Sequence, residues 1–177
     1  MKRILIIGGG AGGLELAVSL SKKFSGSFKV TLIDKEKTDI WKPHLHEVAA
    51  GSLDAFQEQI DYLNLAKKFN FEFIWGELSS INRKNKQLFL KSQSNENGEM
   101  ILPERTISYD YLVVGIGSTS NDFGTEGVKD FAFSLDNLPS ANKFHKNLID
   151  KILQKEYLST STDNFRISIV GGGATEI

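Results

Sequence analysis

The chain has 177 residues, with 21 Lys or Arg against 22 Asp or Glu for a formal charge of −1, 40% hydrophobic residues and no cysteine. That length suits about one ordinary domain, the balanced charge offers no cationic excess for nucleic acid, and the missing thiols exclude a disulfide scaffold, a thiolate metal site and a dithiol redox pair. No apolar run approaches the roughly 20 residues of a membrane span, and Ile4–Ile7 behind Lys2-Arg3 is too short for a signal peptide, which points to the cytoplasm with attachment to a membrane surface left open.

Ile4–Ile7 is a continuous apolar run of the kind expected for a parallel strand buried on both faces, and it leads directly into Gly8-Gly9-Gly10-Ala11-Gly12-Gly13. Leu16, Leu20 and Phe24 then recur at four-residue spacing around the small Ala17, predicting a helix that stops at Ser25-Gly26-Ser27. Phe28–Ile33, β-branched at Val30, Thr31 and Ile33, predicts a second strand ending at Asp34 and completes a βαβ unit. The stretch from Lys35 to Pro43 is polar and irregular. A single helical segment is expected over Leu53–Phe69, and a third strand over Phe71–Trp75.

From Glu77 to Leu112 the pattern is antiparallel, with strands at residues 80–82 and 87–90 about the turn Lys84-Asn85-Lys86 and a solvated loop at Ser92–Gly98. Tyr111–Val114 is a further apolar strand ending in Gly115-Ile116-Gly117-Ser118-Thr119. Leu135–Leu158 predicts a long helix whose lysines form a solvated face. Phe165–Val170 predicts a last strand, running into Gly171-Gly172-Gly173.

Gly8-x-Gly10-x-x-Gly13, placed after a strand and opening a helix, is a dinucleotide-binding fingerprint. The first glycine permits the turn, the second lets a pyrophosphate approach, and the third lets helix and strand pack. Asp34 lies 21 residues after Gly13 at the end of the second strand, where a carboxylate accepts hydrogen bonds from an adenosine ribose and repels the 2′-phosphate of NADP. Gly171 and Gly173 repeat the strand–glycine pattern, which suggests one site for a bound flavin and one for a nicotinamide. The third glycine of that second motif would fall at Glu176, so the second fingerprint is incomplete. Ser118 and Thr119, in a turn at the carboxyl end of a buried strand, are candidate cofactor contacts; a plain loop would read the same way. Lys42, His44, His46 and Glu47 form a polar cluster without a third well-spaced metal ligand, so no metal site is assigned; Glu176 is given no catalytic role, and no catalytic side chain is assigned.

Three stretches, Gly8–Glu15, Trp41-Lys42-Pro43-His44-Leu45-His46-Glu47-Val48-Ala49-Ala50-Gly51-Ser52-Leu53-Asp54 and Gly117–Phe123, resemble bacterial type II NADH dehydrogenases. The resemblance implies a single-subunit flavoprotein that oxidises NADH and reduces a membrane quinone through non-covalent FAD without pumping protons. It implies that Gly8, Gly10, Ala11, Gly12 and Gly13 hold the FAD pyrophosphate and Asp34 the ribose, that Lys42 and Pro43 lie beside the flavin, that Leu78 meets the adenine through its backbone, and that Gly117, Ser118 and Thr119 close over the cofactor.

The expected fold class is therefore α/β: a Rossmann-like FAD-binding domain over residues 1–165, a parallel sheet with helices and a small antiparallel β insertion at about 77–112, truncated at the start of an NADH-binding domain over 166–177. The expected partners, in the complete enzyme, are a quinone and the cytoplasmic face of the inner membrane, with no nucleic acid and with homodimerisation open; this N-terminal FAD-binding part is expected to be inactive alone. Missing thiols argue against disulfide and sulfide:quinone reductases. Rubredoxin- or ferredoxin-type reductases and a non-catalytic dinucleotide-binding module are the alternatives.

Overall fold

The computed structural model describes residues 1–24, 26–95, 97–158 and 165–171. In chain order the elements are β1 (Lys2–Ile7), α1 (Ala11–Lys23), β2 (Phe28–Asp34), β3 (Thr38–Asp39), α2 (Leu45–Ala50), α3 (Ala55–Glu58), β4 (Ile60–Asp61), α4 (Tyr62–Phe69), β5 (Glu72–Trp75), β6 (Leu78–Asn82), β7 (Gln87–Leu90), β8 (Gln93–Ser94), β9 (Met100–Leu102), β10 (Arg105–Ser108), β11 (Tyr111–Val114), α5 (Val128–Phe131) and α6 (Leu138–Leu158). They form two compact units, Met1–Asp39 with Ile60–Gly117, and Ile40–Gln59 with Ser118–Ile177.

The first unit is built on a parallel sheet in the order β11-β1-β2-β5. Successive side chains of a strand point to opposite faces, so the run Ile4–Ile7 feeds two cores. Ile4 and Ile6 join Val30, Leu32, Ala17, Tyr62, Ala66 and Phe71 on the face covered by α1 and α4. Leu5 and Ile7 join Ile33, Leu88 and Leu90 on the other face, covered by the antiparallel sheet β10-β7-β6. Leu5, Ile6, Leu32 and Ile33 are completely enclosed, each contributing about 1.5–3 kcal/mol of apolar burial. The antiparallel insertion is thus a covering layer of the parallel sheet.

The helix expected over Leu53–Phe69 is instead broken into α3, β4 and α4. Two aspartates interrupt it by capping: the Asp54 side chain accepts from the Phe56 N–H at 2.9 Å, and the Asp61 side chain accepts from the Asn64 N–H at 2.8 Å. Each cap residue has extended backbone, which a continuous helix cannot pass through. The loop expected at Ser92–Gly98 is partly a hairpin, with β8 against β9. Its turn is held by Asn95, whose side chain accepts from the Asn97 and Glu99 N–H groups. The strand expected over Phe165–Val170 is not formed. Its backbone finds no ladder partner among the described residues, and an apolar run without a neighbouring strand cannot be a β-strand.

In the second unit α2 packs on the start of α6, where Leu45, Val48, Ala49 and Ala141 are buried with Ile40. Gly51 ends α2 in the left-handed conformation (φ +79°), and a Cβ there would run into the His145 imidazole. His145 Nδ1 lies 3.1 Å from the Ala49 carbonyl oxygen, a group that can only accept, which makes Nδ1 the protonated nitrogen. Asn137 starts α6, its side chain accepting from the Ser140 N–H at 3.0 Å. Among the described residues no helix is long and apolar enough to cross a membrane.

Candidate functional site

The chain leaves β1, β2 and β11 at the same end of the sheet, and β1 and β11 flank the position where the strand order reverses. Ligands of open α/β sheets bind outside the carboxyl ends of the strands at such a point. There the fingerprint divides into two sets. Gly8, Gly9 and Gly13 are buried, whereas Gly10, Ala11 and Gly12 are exposed.

The buried set makes the turn. Gly8 has φ +100°, and its N–H donates to the Ile33 carbonyl at 2.8 Å. A Cβ on it would press into the Gly115 carbonyl and reach the Ile116 nitrogen at 2.8 Å, so this turn and Gly115–Gly117 lie side by side. Gly115 N–H donates to the Ile7 carbonyl at 2.7 Å. A Cβ on Gly13 would collide with the Gly8 carbonyl, and one on Gly9 with the Tyr62 ring.

The exposed set faces open space: an added Cβ on Gly10 or Gly12 would meet nothing within 4 Å. Gly10 caps α1 without any side-chain acceptor, and no acidic residue stands in the first turn. The helix therefore presents free N–H groups and the positive end of its dipole to whatever occupies that space.

Asp34 borders the turn with both carboxylate oxygens engaged. Oδ2 accepts from the Gly9 N–H at 2.6 Å and Oδ1 from the Glu36 N–H at 2.8 Å. Each oxygen keeps a second lone pair for a ligand. The sequence reading missed Gly9 and Tyr62. Gly9 is one of two glycines of the run, with Gly12, that the fingerprint leaves unspecified, and Tyr62 carries no local signal beyond a helical position. Tyr62 is 1% exposed, and burial, with the nearby Asp39, Asp34 and Glu36 charges, holds its phenol well above the ordinary tyrosine range. It is a neutral floor under the turn.

Leu78 opens β6 opposite Leu90, with its side chain on the second core. Gly117 adopts φ +70°. Gly171 is exposed with φ +123°, and Gly173 and Glu176 lie outside the described residues.

In the second unit, Lys42 and Pro43 occupy a single 3-10 turn, Lys42–His44. Lys42 Nζ donates to the Ser118 carbonyl at 3.0 Å. Ser118 and Thr119 are exposed, and the next residue, Ser120, donates through both its N–H and its hydroxyl to Asp136 Oδ1 at 2.8 Å. Asp136 thus tethers Ser120 to the loop, a contact that the sequence reading missed. Partial burial alone would raise its carboxyl, but hydrogen bonds from Ser120 and Ser134 and the charge of Lys42 bring it below the ordinary aspartate value. A depressed pKa stabilises the folded loop above that ordinary value, and the contribution is lost as pH falls through the lowered one. The Ser120 amide resonance is therefore expected to move on acidification below about pH 4, and in Asp136→Asn it should already hold an altered position at pH 7. A resonance that ignores both changes would contradict the tether. Among the described residues no three His, Asp or Glu side chains converge as a metal set; His46 Nε2 and Glu47 approach only to 3.9 Å.

Residues 2–176 match the pyridine nucleotide-disulphide oxidoreductase family. The chain is 39% identical over its full length to the Type II NADH:quinone oxidoreductase of Haemophilus influenzae, covering 44% of that protein. It is 31% identical over 98% of its length to the enzyme of the same name from Staphylococcus haemolyticus, covering 40% of it. The chain thus spans less than half the length of these curated relatives. Among solved structures, NDH2 from Plasmodium falciparum superposes with a TM-score of 0.76 at 21% identity, over 90% of this chain and 31% of that one, a likeness of fold. A match that begins in the first strand and continues beyond the last described residue, on a fold shared with a solved relative, settles the kinship: this chain belongs to the pyridine nucleotide-disulphide oxidoreductase family.

Proposed function

We propose that the chain is the FAD-binding portion of an oxidoreductase that passes electrons from NADH to a membrane quinone. The observation that carries this reading is the division of the glycine turn: buried glycines lock strand to helix, and exposed Gly10, Ala11 and Gly12 leave an uncapped helix N-terminus open. These residues fit a dinucleotide pyrophosphate, which accepts backbone N–H bonds and requires backbone without side chains. Asp34, fixed from two sides, would accept from the ribose hydroxyls. Gly8 and Gly13 would act through the turn, and Gly117 beside it. Leu78, Lys42, Pro43, Ser118 and Thr119 are proposed as cofactor residues on the resemblance described above, each within its own unit.

Bound FAD supplies the ring that takes hydride and gives up electrons; the chain binds and orients it. NADH is proposed as the substrate of the complete enzyme, of whose nicotinamide site Gly171 and Gly173 would be only the first glycines, and Glu176 is given no role. The quinone belongs to the same proposal through the names of the type II relatives, and the cytoplasmic membrane face through the resemblance described above.

Purified chain is expected to be yellow with retained FAD. Colourless protein that takes up NAD in its place would overturn the assignment. Anaerobic NADH is expected to leave the colour unbleached, because Glu176 stands where the second fingerprint needs its third glycine; rapid bleaching would show a working nicotinamide site.

A further inference from the structure

The carboxyl end of β2 is tied to its neighbour β5 by more than the ladder. Asp34 pairs in register with Trp75, and the Gly76 N–H donates to the Asp34 carbonyl at 2.8 Å. The Trp75 indole N–H reaches past the strand to the Lys35 carbonyl at 2.8 Å, and Lys37 Nζ sits over the indole ring 4.2 Å from its centre. One side chain thus holds the first and third residues after Asp34, while the carboxylate holds the second through the Glu36 N–H.

Trp75 is itself anchored from the antiparallel layer. Arg105, the first residue of β10, donates from Nη2 to the Trp75 carbonyl at 2.6 Å and lies 3.4 Å from the Gln93 side-chain oxygen. Gly76 lets the two layers meet there: a Cβ on it would stand 2.7 Å from Leu90 Cδ1 and 3.1 Å from Arg105 Nη2. The fold needs a layer over Leu5, Ile7 and Ile33, but apolar burial does not require an arginine aimed at the carbonyl beside Asp34.

We propose that Trp75, clamped by Arg105, is a positioning residue for the adenosine half of the bound dinucleotide. It holds the turn 35–37 so that Asp34 keeps its oxygens toward the ribose. This inference rests on the FAD reading above. A turn of two lysines and a glutamate, all exposed, has no burial of its own to order it. Without the indole N–H, the Lys35 carbonyl exchanges one protein donor for water, and Asp34 must order the turn on binding.

The test uses the full chain stripped of FAD, with FAD and then ADP alone titrated well below the unfolding midpoint. Trp75→Phe, which keeps a ring for Lys37 but removes the indole N–H, is expected to weaken FAD and ADP by the same factor, about fivefold to tenfold. Arg105→Met should act in the same direction, and Arg105→Lys, which retains a donor for the Trp75 carbonyl, should recover part of the loss. A role in the fold alone would lower the unfolding midpoint and leave ADP affinity unchanged, which overturns the inference. So would an unaltered ADP affinity in Arg105→Met if Trp75→Phe does not fold. Parent chain that binds neither FAD nor ADP overturns the FAD reading, and this inference with it; parent chain that binds both while the variants bind equally well overturns this inference alone.

Discussion

Gly13→Ala is expected to destabilise the chain by about 3 kcal/mol, roughly 6–12 °C in unfolding midpoint, and to abolish FAD retention. The added methyl would fall on the Gly8 carbonyl oxygen. That oxygen cannot move freely, since Gly8 is held by its own N–H bond to Ile33 and abuts Gly115. Relief requires α1 to slide off β1, opening the core that contains Ile6 and Ala17. Gly10→Ala is the matching control. Its methyl would meet no protein atom, so its cost to the fold is confined to the poorer N-cap, about 1 kcal/mol or less. FAD affinity should still fall, because the methyl enters the space proposed for the pyrophosphate. Melting curves with and without FAD separate the two. Equal midpoints for Gly13→Ala and Gly10→Ala would contradict the division of the turn.

Asp34→Asn is expected to weaken FAD by about tenfold to a hundredfold and also to lower the stability of the FAD-free chain by about 2 kcal/mol. Sequence reasoning supplies only the first effect, through the ribose. The structure adds the second: both carboxylate oxygens accept backbone N–H groups, from Gly9 and Glu36. An amide has one oxygen and one NH2, so whichever way it turns, a donor faces a donor. Loss at Gly9 loosens the glycine turn, and loss at Glu36 loosens the ribose side. Isothermal titration with FAD and a melting curve without it should both shift; an unshifted FAD-free melting curve would show that the two backbone bonds contribute nothing.

What could be read from the sequence was what is local. The unit from β1 to Asp34 is encoded within 34 consecutive residues by a two-face apolar run, a glycine turn and a helical apolar repeat, and each fell where expected. Family membership was legible from the motifs in Gly8–Glu15 and Trp41–Asp54. Where competing signals shared a stretch, the reading failed. Residues 53–69 carry apolar spacing fit for one helix, but Asp54 and Asp61 use their side chains to start new ones. Placement across the fold was not legible at all. Nothing local to Leu88 or Leu90 says they cover Leu5 and Ile7, nor does anything near Tyr62 announce that its ring supports Gly9. Asp136 was overlooked for the same reason: its partner, Ser120, lies 16 residues away. Phe165–Val170 has the composition of a strand, but composition supplies no partner.

The place of β1 in the sheet sets a timetable for biogenesis. Its neighbour β2 follows immediately, but the other, β11, pairs Ile4 with Tyr111 across 107 residues. During synthesis at roughly 5–20 residues per second, about 80 residues separate the emergence of β2 from that of β11, so β1, one of the two interior strands, waits on the order of 4–16 s with one edge uncovered. Its second face also lacks Leu88 and Leu90 for most of that interval. Ile4–Ile7 is therefore the segment a ribosome-associated chaperone would meet longest, and slowing translation between codons 35 and 110 should increase aggregation of the nascent chain more than slowing it afterwards.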